Sequence, residues 1–221
     1  MDDVRTAMGL LNISDAARYL GIPAQTFRRW AVGYDRGGPL LHLLPAEERH
    51  ARVTFIALSE AWVLEALRKA GVRPQKIRPA LRQLQKEFGR EYVLVAPELA
   101  TDGIDVLWDF SRSSAGEGLI EGRTGQRVMR AVVEDYLQYI TRAEDGYPSM
   151  LELRTFLPSK VVVDPKRAFG QPFYEGARTR VGDVAAMLKA EEEPEVIADE
   201  LGVAIQDVWA AARVVLGRGT S

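Results

Sequence analysis

The sequence contains no cysteine, which excludes disulfides, thiol nucleophiles and cysteine-ligated metal sites. It has two histidines, His42 and His50. Neither sits in a motif that supplies the converging partner a metal ligand or general base requires. No apolar run approaches the roughly 20 residues needed to span a bilayer. The start, Met1-Asp2-Asp3, lacks the basic segment of a secretory leader, so a cytoplasmic address without membrane association is expected. Gly116, Gly118, Gly122 and Gly125 have neither the spacing nor the preceding strand of a phosphate-cradling loop. Asp102, Asp105 and Asp109 read as turn-forming or solvated carboxylates. No catalytic residue, metal or cofactor is therefore expected, and the chain does not read as an enzyme.

What remains is a chain of ordinary globular composition. Of 221 residues, 47% are hydrophobic and 27% charged, enough for one domain or two small ones. The net charge of −2 conceals an asymmetry. Residues 1–90 carry 15 Lys and Arg against 9 Asp and Glu, whereas the remainder carries 14 against 22. A basic end joined to an acidic end suggests that one meets a polyanion and the other meets something else.

Residues 11–30 read as two short helices around a tight turn. Asn12 or Ser14 can cap the first, whose apolar face is Ile13, Ala16, Ala17 and Leu20. Gly21 suits the left-handed residue after it, and Pro23 the approach to a second helix over 24–31. Apolar runs at 39–44 and 52–56, split by a polar connection, predict a β-hairpin wing. Helices follow over 58–70 and 74–88. Strands are expected at 92–95 and 104–110 about the turn Thr101-Asp102-Gly103, then a loop at 111–118 and a helix over 126–140. Residues 150–156 and 161–163 read as strands and 168–180 as a hairpin-like β segment. Three helices, 181–191, 194–201 and 205–216, close the chain, with Gly202 turning the last pair.

The helix after Pro23 carries Gln25, Thr26, Arg28 and Arg29 as donors able to reach base edges and phosphates, while Phe27 and Trp30 lie three apart as core anchors. The run from Ile13 through Pro23 to Arg28-Arg29-Trp30 resembles the opening of MerR-family regulators. The block from Leu64-Glu65-Ala66 to Lys76-Ile77-Arg78 resembles that family's third and fourth helices. The resemblance covers about 11–88 and implies that the wing, including Arg49, His50 and Arg52, touches backbone phosphates. The chain lacks that family's long coiled-coil helix and the cysteines of its metal sensors, which argues against a metal or redox sensor.

The phrase Val163-Asp164-Pro165 to Gly170-Gln171-Pro172, then Gly176-Ala177-Arg178-Thr179-Arg180-Val181 and Pro194 to Gly202, is similar to the domain-of-unknown-function 433 family. That family is found among VapB-type antitoxins, and the match runs over about 161–216. It implies an antitoxin that binds a PIN-like ribonuclease toxin and represses their shared operon. The last helix is too apolar for a groove reader and reads as a packing or dimerisation unit. Arg178 and Arg180 can pair with a phosphate, with a toxin carboxylate, or simply in a surface ion pair.

The expectation is thus an α+β, helix-rich protein with three consecutive parts. These are a MerR-like winged helix-turn-helix (1–90), a mixed β/α dimerisation region (91–157) and an antitoxin-family helical module with a β-hairpin (158–221). Ser14, Gln25, Thr26, Arg28, Arg29, Arg49, His50 and Arg52 form the expected DNA-contact set. Arg178, Arg180, Trp209 and Arg213 form the expected partner or dimer surface. Expected partners are double-stranded operator DNA, a toxin protein and a second copy of the chain. A stand-alone regulator and a non-DNA-binding adaptor are the alternatives.

Overall fold

The computed structural model describes residues 3–33, 38–45, 51–120 and 125–217. Its elements in chain order are α1 Val4–Ala7, β1 Gly9–Leu11, α2 Ile13–Leu20, α3 Ala24–Val32, β2 Val53–Thr54, α4 Phe55–Lys69, α5 Arg78–Phe88, α6 Ile104–Ser111, α7 Gln126–Leu137, β3 Ile140–Arg142, β4 Pro148–Glu152, β5 Val161–Val163, β6 Phe173–Tyr174, α8 Val181–Lys189, α9 Pro194–Leu201 and α10 Ile205–Leu216. The architecture is α+β and helix-rich. Two compact units interleave along the chain, one of Met1–Ala24, Leu44–Phe55 and Ser149–Ser221, the other of Gln25–Leu43 and Ile56–Pro148. The expected division was instead sequential.

In the first unit β1 pairs antiparallel with β2, Gly9 facing Thr54 and Leu11 facing Val53. Glycine is needed at position 9 because a Cβ there would overlap the Ala51 carbonyl. This pairing corrects the expected wing hairpin. Residues 39–44 form no strand, and Phe55 and Ile56 already belong to α4. The two apolar runs meet through Leu44 N–H donating to Arg52 O at 3.0 Å, but the strand partner of Val53–Thr54 comes from the N-terminus. Residues 46–50, including Arg49 and His50, lie outside the described residues.

Asn12, not Ser14, caps α2, accepting from Asp15 N–H at 2.8 Å while its own amide donates to the Asp15 carboxylate at 2.7 Å. The helix buries Ala16, Ala17, Tyr19 and Leu20, and it packs on residues of the C-terminal module. Thr155 Oγ1 donates to Tyr19 O at 2.6 Å, and the Tyr19 and Phe156 rings lie 6.0 Å apart. Gln171 Nε2 likewise donates to Leu10 O at 2.7 Å. β4, β5 and β6 pair antiparallel in that order. Val161, Val162 and Val163 are all fully buried, so this strand is covered on both faces. Tyr174 donates its hydroxyl to Asp207 O at 2.7 Å, tying β6 to α10, and its burial pushes the phenol's pKa upward. The strand 150–156 is shorter than expected, with a tight helical turn at Arg154–Phe156.

The second unit is organised by α4. Every residue from Phe55 to Leu67 is buried, the signature of a helix enclosed on all sides. Trp62 anchors α7 to it, its ring 4.4 Å from that of Tyr136 and its Nε1–H donating to Tyr136 O at 2.9 Å. Beyond Gly71 the chain turns through Pro74–Lys76 into α5, which buries Ala80 and Leu84. The strands expected at 92–95 and 104–110 are corrected. Val93–Val95 is a tight helical turn and Ile104–Ser111 is α6. Ile104 and Leu107 are the buried positions of α6, a spacing of three that the apolar–polar alternation of the segment masks. Gly103, read as a hairpin turn, instead sits against Leu99, whose Cδ1 would be 2.9 Å from an added Cβ. α7 ends at Leu137, and Ile140 begins β3.

Candidate nucleic-acid interface

The α3 segment has two faces. Phe27, Trp30 and Ala31 are buried, the spacing of three and four that locks one side of a helix into a core. Each large ring contributes about 1.5–3 kcal/mol by leaving water. That fixes the rotation of the helix and turns Gln25, Arg28 and Arg29 outward, all three exposed, with Thr26 half-buried beside them. The helix carries no acidic residue. Among the described residues neither Arg28 nor Arg29 is held in an ion pair. Two unneutralised guanidinium groups on a fixed helix face can do what groove reading needs, which is to present forked donors to base edges and phosphates.

The other expected DNA contacts lie in the first unit. Ser14 is exposed on the first turn of α2. Arg52 is half-buried and its Nε donates to Leu44 O at 3.0 Å. Part of its donor capacity therefore holds the chain rather than facing outward. Sequence reasoning placed His42 in the wing as an ordinary residue. It instead clamps a buried carboxylate, with His42 N–H 2.9 Å and Nδ1 2.6 Å from the two oxygens of Glu60. The hydrogen bond to Glu60 raises the imidazole pKa, opposed by burial. Tyr92 packs edge-on against the ring at 4.9 Å. Among the described residues no cluster of three His, Asp or Glu side chains is placed to hold a metal. Among the described residues no helix is long and apolar enough to cross a membrane.

A second surface belongs to the C-terminal module. Arg167, Ala168, Phe173 and Arg178 line a cavity of about 560 Å3, with the Arg167 guanidinium 4.6 Å over the Phe173 ring. The rim is strained. Ala168, Phe169 and Gly170 have φ of 47°, 55° and 70° in succession, and Arg178 has 61°. Non-glycine residues in that region cost on the order of 1–3 kcal/mol each. The strained turn leaves Phe169 84% exposed, more than any other large hydrophobic side chain described. Sequence reasoning singled out Arg178 but missed Arg167 and Phe169. The only signal was a phenylalanine caught between small residues in a segment read as hairpin. Of the other expected partner residues, Trp209 is 41% exposed on α10. Arg180 is forked onto Asp183 at 2.8 Å. Arg213 donates to the Thr155 and Leu157 carbonyls at 3.1 Å.

Comparison with known proteins bears on both surfaces. Residues 9–81 match the family described as "Putative DNA-binding HTH domain". Residues 161–213 match the family described as "Protein of unknown function (DUF433)". The chain is 40% identical over 219 residues to "Putative antitoxin VapB45" of Mycobacterium tuberculosis, with 91% of each chain covered. It is 27% identical over 208 residues to the uncharacterized protein Rv2308 of the same organism, covering 88% of this chain and 85% of that one. The crystal structure of Rv2018 from M. tuberculosis superposes with a TM-score of 0.77 at 38% identity, covering 94% of this chain and 99% of that one.

Proposed function

Because the chain belongs to the VapB-type antitoxin family, with a DNA-binding helix-turn-helix head and a domain-of-unknown-function 433 tail, we propose that it is the DNA-binding antitoxin of a type II toxin–antitoxin pair. In this reading α3 enters the major groove of the operator of its own operon, in the cytoplasm. Gln25, Thr26, Arg28 and Arg29 make the base and phosphate contacts. Ser14, Arg49, His50 and Arg52 add contacts to the phosphate backbone. A homodimer sets two α3 helices on half-sites about one helical turn apart, or a multiple of it. The C-terminal module neutralises a PIN-like ribonuclease, and the strained cavity rim with Arg178 is the surface suited to it. Trp209 is the exposed anchor available for either protein contact, with Arg180 and Arg213 framing the same module.

One observation carries the DNA reading: Arg28 and Arg29, in no ion pair among the described residues, sit on a helix whose rotation Phe27 and Trp30 fix, inside the segment that matches a DNA-binding family. The test is electrophoretic mobility with the DNA upstream of the protein's own gene. Specific retardation that weakens steeply with salt is expected. Retardation that survives Arg28→Ala with Arg29→Ala would remove α3 from the role. The antitoxin half is tested by co-purification with the neighbouring gene's product and by loss of that product's ribonuclease activity in the complex. A neighbour that neither binds nor cleaves RNA leaves a stand-alone regulator.

A further inference from the structure

Phe169 stands at the crest of a turn that is both strained and clamped. Ala168, Phe169 and Gly170 follow one another at φ 47°, 55° and 70°. The loop closes on itself, Gly170 N–H donating to Arg167 O at 2.8 Å and Gln171 N–H to Ala168 O at 3.0 Å. An added Cβ on Gly170 would overlap the Leu10 side chain, and Gln171 Nε2 donates to Leu10 O at 2.7 Å. Leu10 is itself buried, so the turn rests directly on the core. Its crest is held rigidly, and the Phe169 ring is left 84% exposed. Glycine or asparagine holds a left-handed position at lower cost. A phenylalanine kept there points to a ring that is used outside the chain.

Ala168, the residue before that ring, lines the cavity of about 560 Å3 together with Arg167, Phe173 and Arg178. The Arg167 guanidinium lies 4.6 Å over the Phe173 ring, a contact that uses its face and leaves its in-plane N–H donors for an acceptor. Arg178 is fixed through its backbone, its N–H donating to Tyr174 O at 2.8 Å. The next residue pins the same loop, Thr179 Oγ1 donating to Leu201 O at 2.9 Å. Carboxylates close by in the chain are already occupied. Asp164 accepts from Lys166 N–H at 2.8 Å, Glu175 pairs with Lys160 at 2.7 Å, and Asp183 holds Arg180. Among the described residues neither Arg167 nor Arg178 is held in an ion pair. A carboxylate entering the cavity can take charged hydrogen bonds from both guanidinium groups, and the volume leaves room for the side chain that bears it.

We propose that this knob and hollow are a two-part docking site for the toxin of the proposed pair. Phe169 enters an apolar recess of the partner, and a partner carboxylate beside that recess enters the cavity to meet Arg167 and Arg178. The inference deepens the antitoxin reading and rests on it. A small free anion accounts for the arginines but leaves the exposed ring idle. A nucleic acid would have to approach the acidic end of the chain, where residues 91–221 carry 14 basic residues against 22 acidic. A protein with an acidic side chain at the edge of an apolar recess meets both features. The ring then supplies buried apolar area and the arginines supply orientation. Rigid presentation adds to affinity, since little freedom is lost on docking.

The test pairs the full chain with the purified product of the neighbouring gene, in isothermal titrations at low and at high salt. Phe169→Ala is expected to weaken binding about 30-fold at either salt concentration. Arg178→Asn should weaken it about 10-fold or more at low salt and flatten the salt dependence. Asparagine tolerates the left-handed backbone at that position, so the variant loses charge without added strain. Arg167→Lys keeps a charge over Phe173 but loses the fork, and should weaken binding about threefold. Arg178→Glu should abolish binding, and a single acidic-to-lysine substitution on the partner should restore it. Partner affinity unchanged in either Phe169→Ala or Arg178→Asn overturns the docking site, while binding by the wild type leaves the antitoxin reading intact. Losses that fall instead on duplex affinity or on self-association, read by anisotropy and sedimentation, also overturn it. If the wild type does not bind the product at all, the antitoxin reading falls and the docking site falls with it.

Discussion

α2 and α9 end alike and lead into helices of opposite chemistry. Gly21 and Gly202 are both left-handed, at φ 67° and 61°. The residue after each donates five positions back, Ile22 to Ala17 O at 2.9 Å and Val203 to Ala198 O at 3.1 Å, the bond of a Schellman turn. Both following residues are buried. Yet residues 13–32 carry three arginines against one aspartate, while 194–216 carry one arginine against four acids. The outward positions of α3 are Gln25, Arg28 and Arg29, whereas those of α10 are Gln206, Trp209 and Arg213. Arg213 is engaged by the carbonyls of Thr155 and Leu157. A shared turn therefore decides only where the first helix of each pair stops; the side chains beyond it decide what the second helix touches.

The largest test of that contrast is to strip both helices of arginine. Arg28→Ala with Arg29→Ala should cost about 2–4 kcal/mol of operator affinity, at roughly 1–3 kcal/mol for each good contact to a base. That is 30- to 1000-fold in a fluorescence-anisotropy titration, with a shallower salt slope. Arg213→Ala should leave duplex affinity within twofold and instead lower the thermal midpoint, because two backbone carbonyls lose a charged donor. Equal losses from the two variants would erase the distinction between the helices.

The turns themselves differ in one respect. A Cβ on Gly21 would meet Thr155 Cγ2 at 2.9 Å, whereas around Gly202 nothing lies within 4 Å. Gly202→Ala should lose only the left-handed preference, about 1 kcal/mol. Gly21→Ala adds the crowding and should lose about 2–3 kcal/mol, read from urea midpoints at constant slope. If the two losses match, Thr155 gives way freely and the packing of α2 on the C-terminal module is looser than its hydrogen bonds indicate.

The partner surface gives a smaller effect. Phe169→Ala removes an exposed aromatic from a strained turn, so folding stability should hold within about 0.5 kcal/mol. Affinity for the partner should fall by about 2 kcal/mol if the ring is an interface anchor. Isothermal titration with the neighbouring gene's product measures it, and an unchanged affinity moves the docking surface elsewhere, with Trp209 next to examine.

What was legible in the sequence follows from how local each determinant is. The α3 faces were readable because Phe27, Trp30, Arg28 and Arg29 obey one period within seven residues. The last three helices were readable because Pro194 and Gly202 mark their ends. The 104–110 segment failed because Ile-Asp-Val-Leu-Trp-Asp-Phe satisfies both periods, and only the burial of Ile104 and Leu107 chooses between them. The wing strands failed for a longer-range reason. Val53–Thr54 takes its partner from Gly9–Leu11, more than forty residues away, and nothing in the local pattern announces that pairing. The packing of α2 with the C-terminal module was hidden likewise, since Thr155 and Tyr19 are 136 positions apart. The cavity rim around Phe169 depends on backbone strain, which composition does not encode.

The smallest expected effect separates the two units by pH. His42 and Glu60 lie in the second unit, and among the described residues the first unit has no histidine. The bond to Glu60 raises the imidazole pKa above its ordinary value near 6.5. A pKa raised by folding means that folding favours the protonated ring. Its contribution is complete below about pH 6.5 and is lost as pH climbs through the raised value. The imidazole side chain is 44% exposed, so solvent screening holds the contribution below about 1 kcal/mol. Wild type should therefore exceed His42→Gln in urea midpoint at pH 6, with the gap narrowing on the way to pH 9. A gap that stays constant would mean that His42 acts by packing against Tyr92 rather than by charge. If it widened toward pH 9, the sign of the coupling to Glu60 would be wrong.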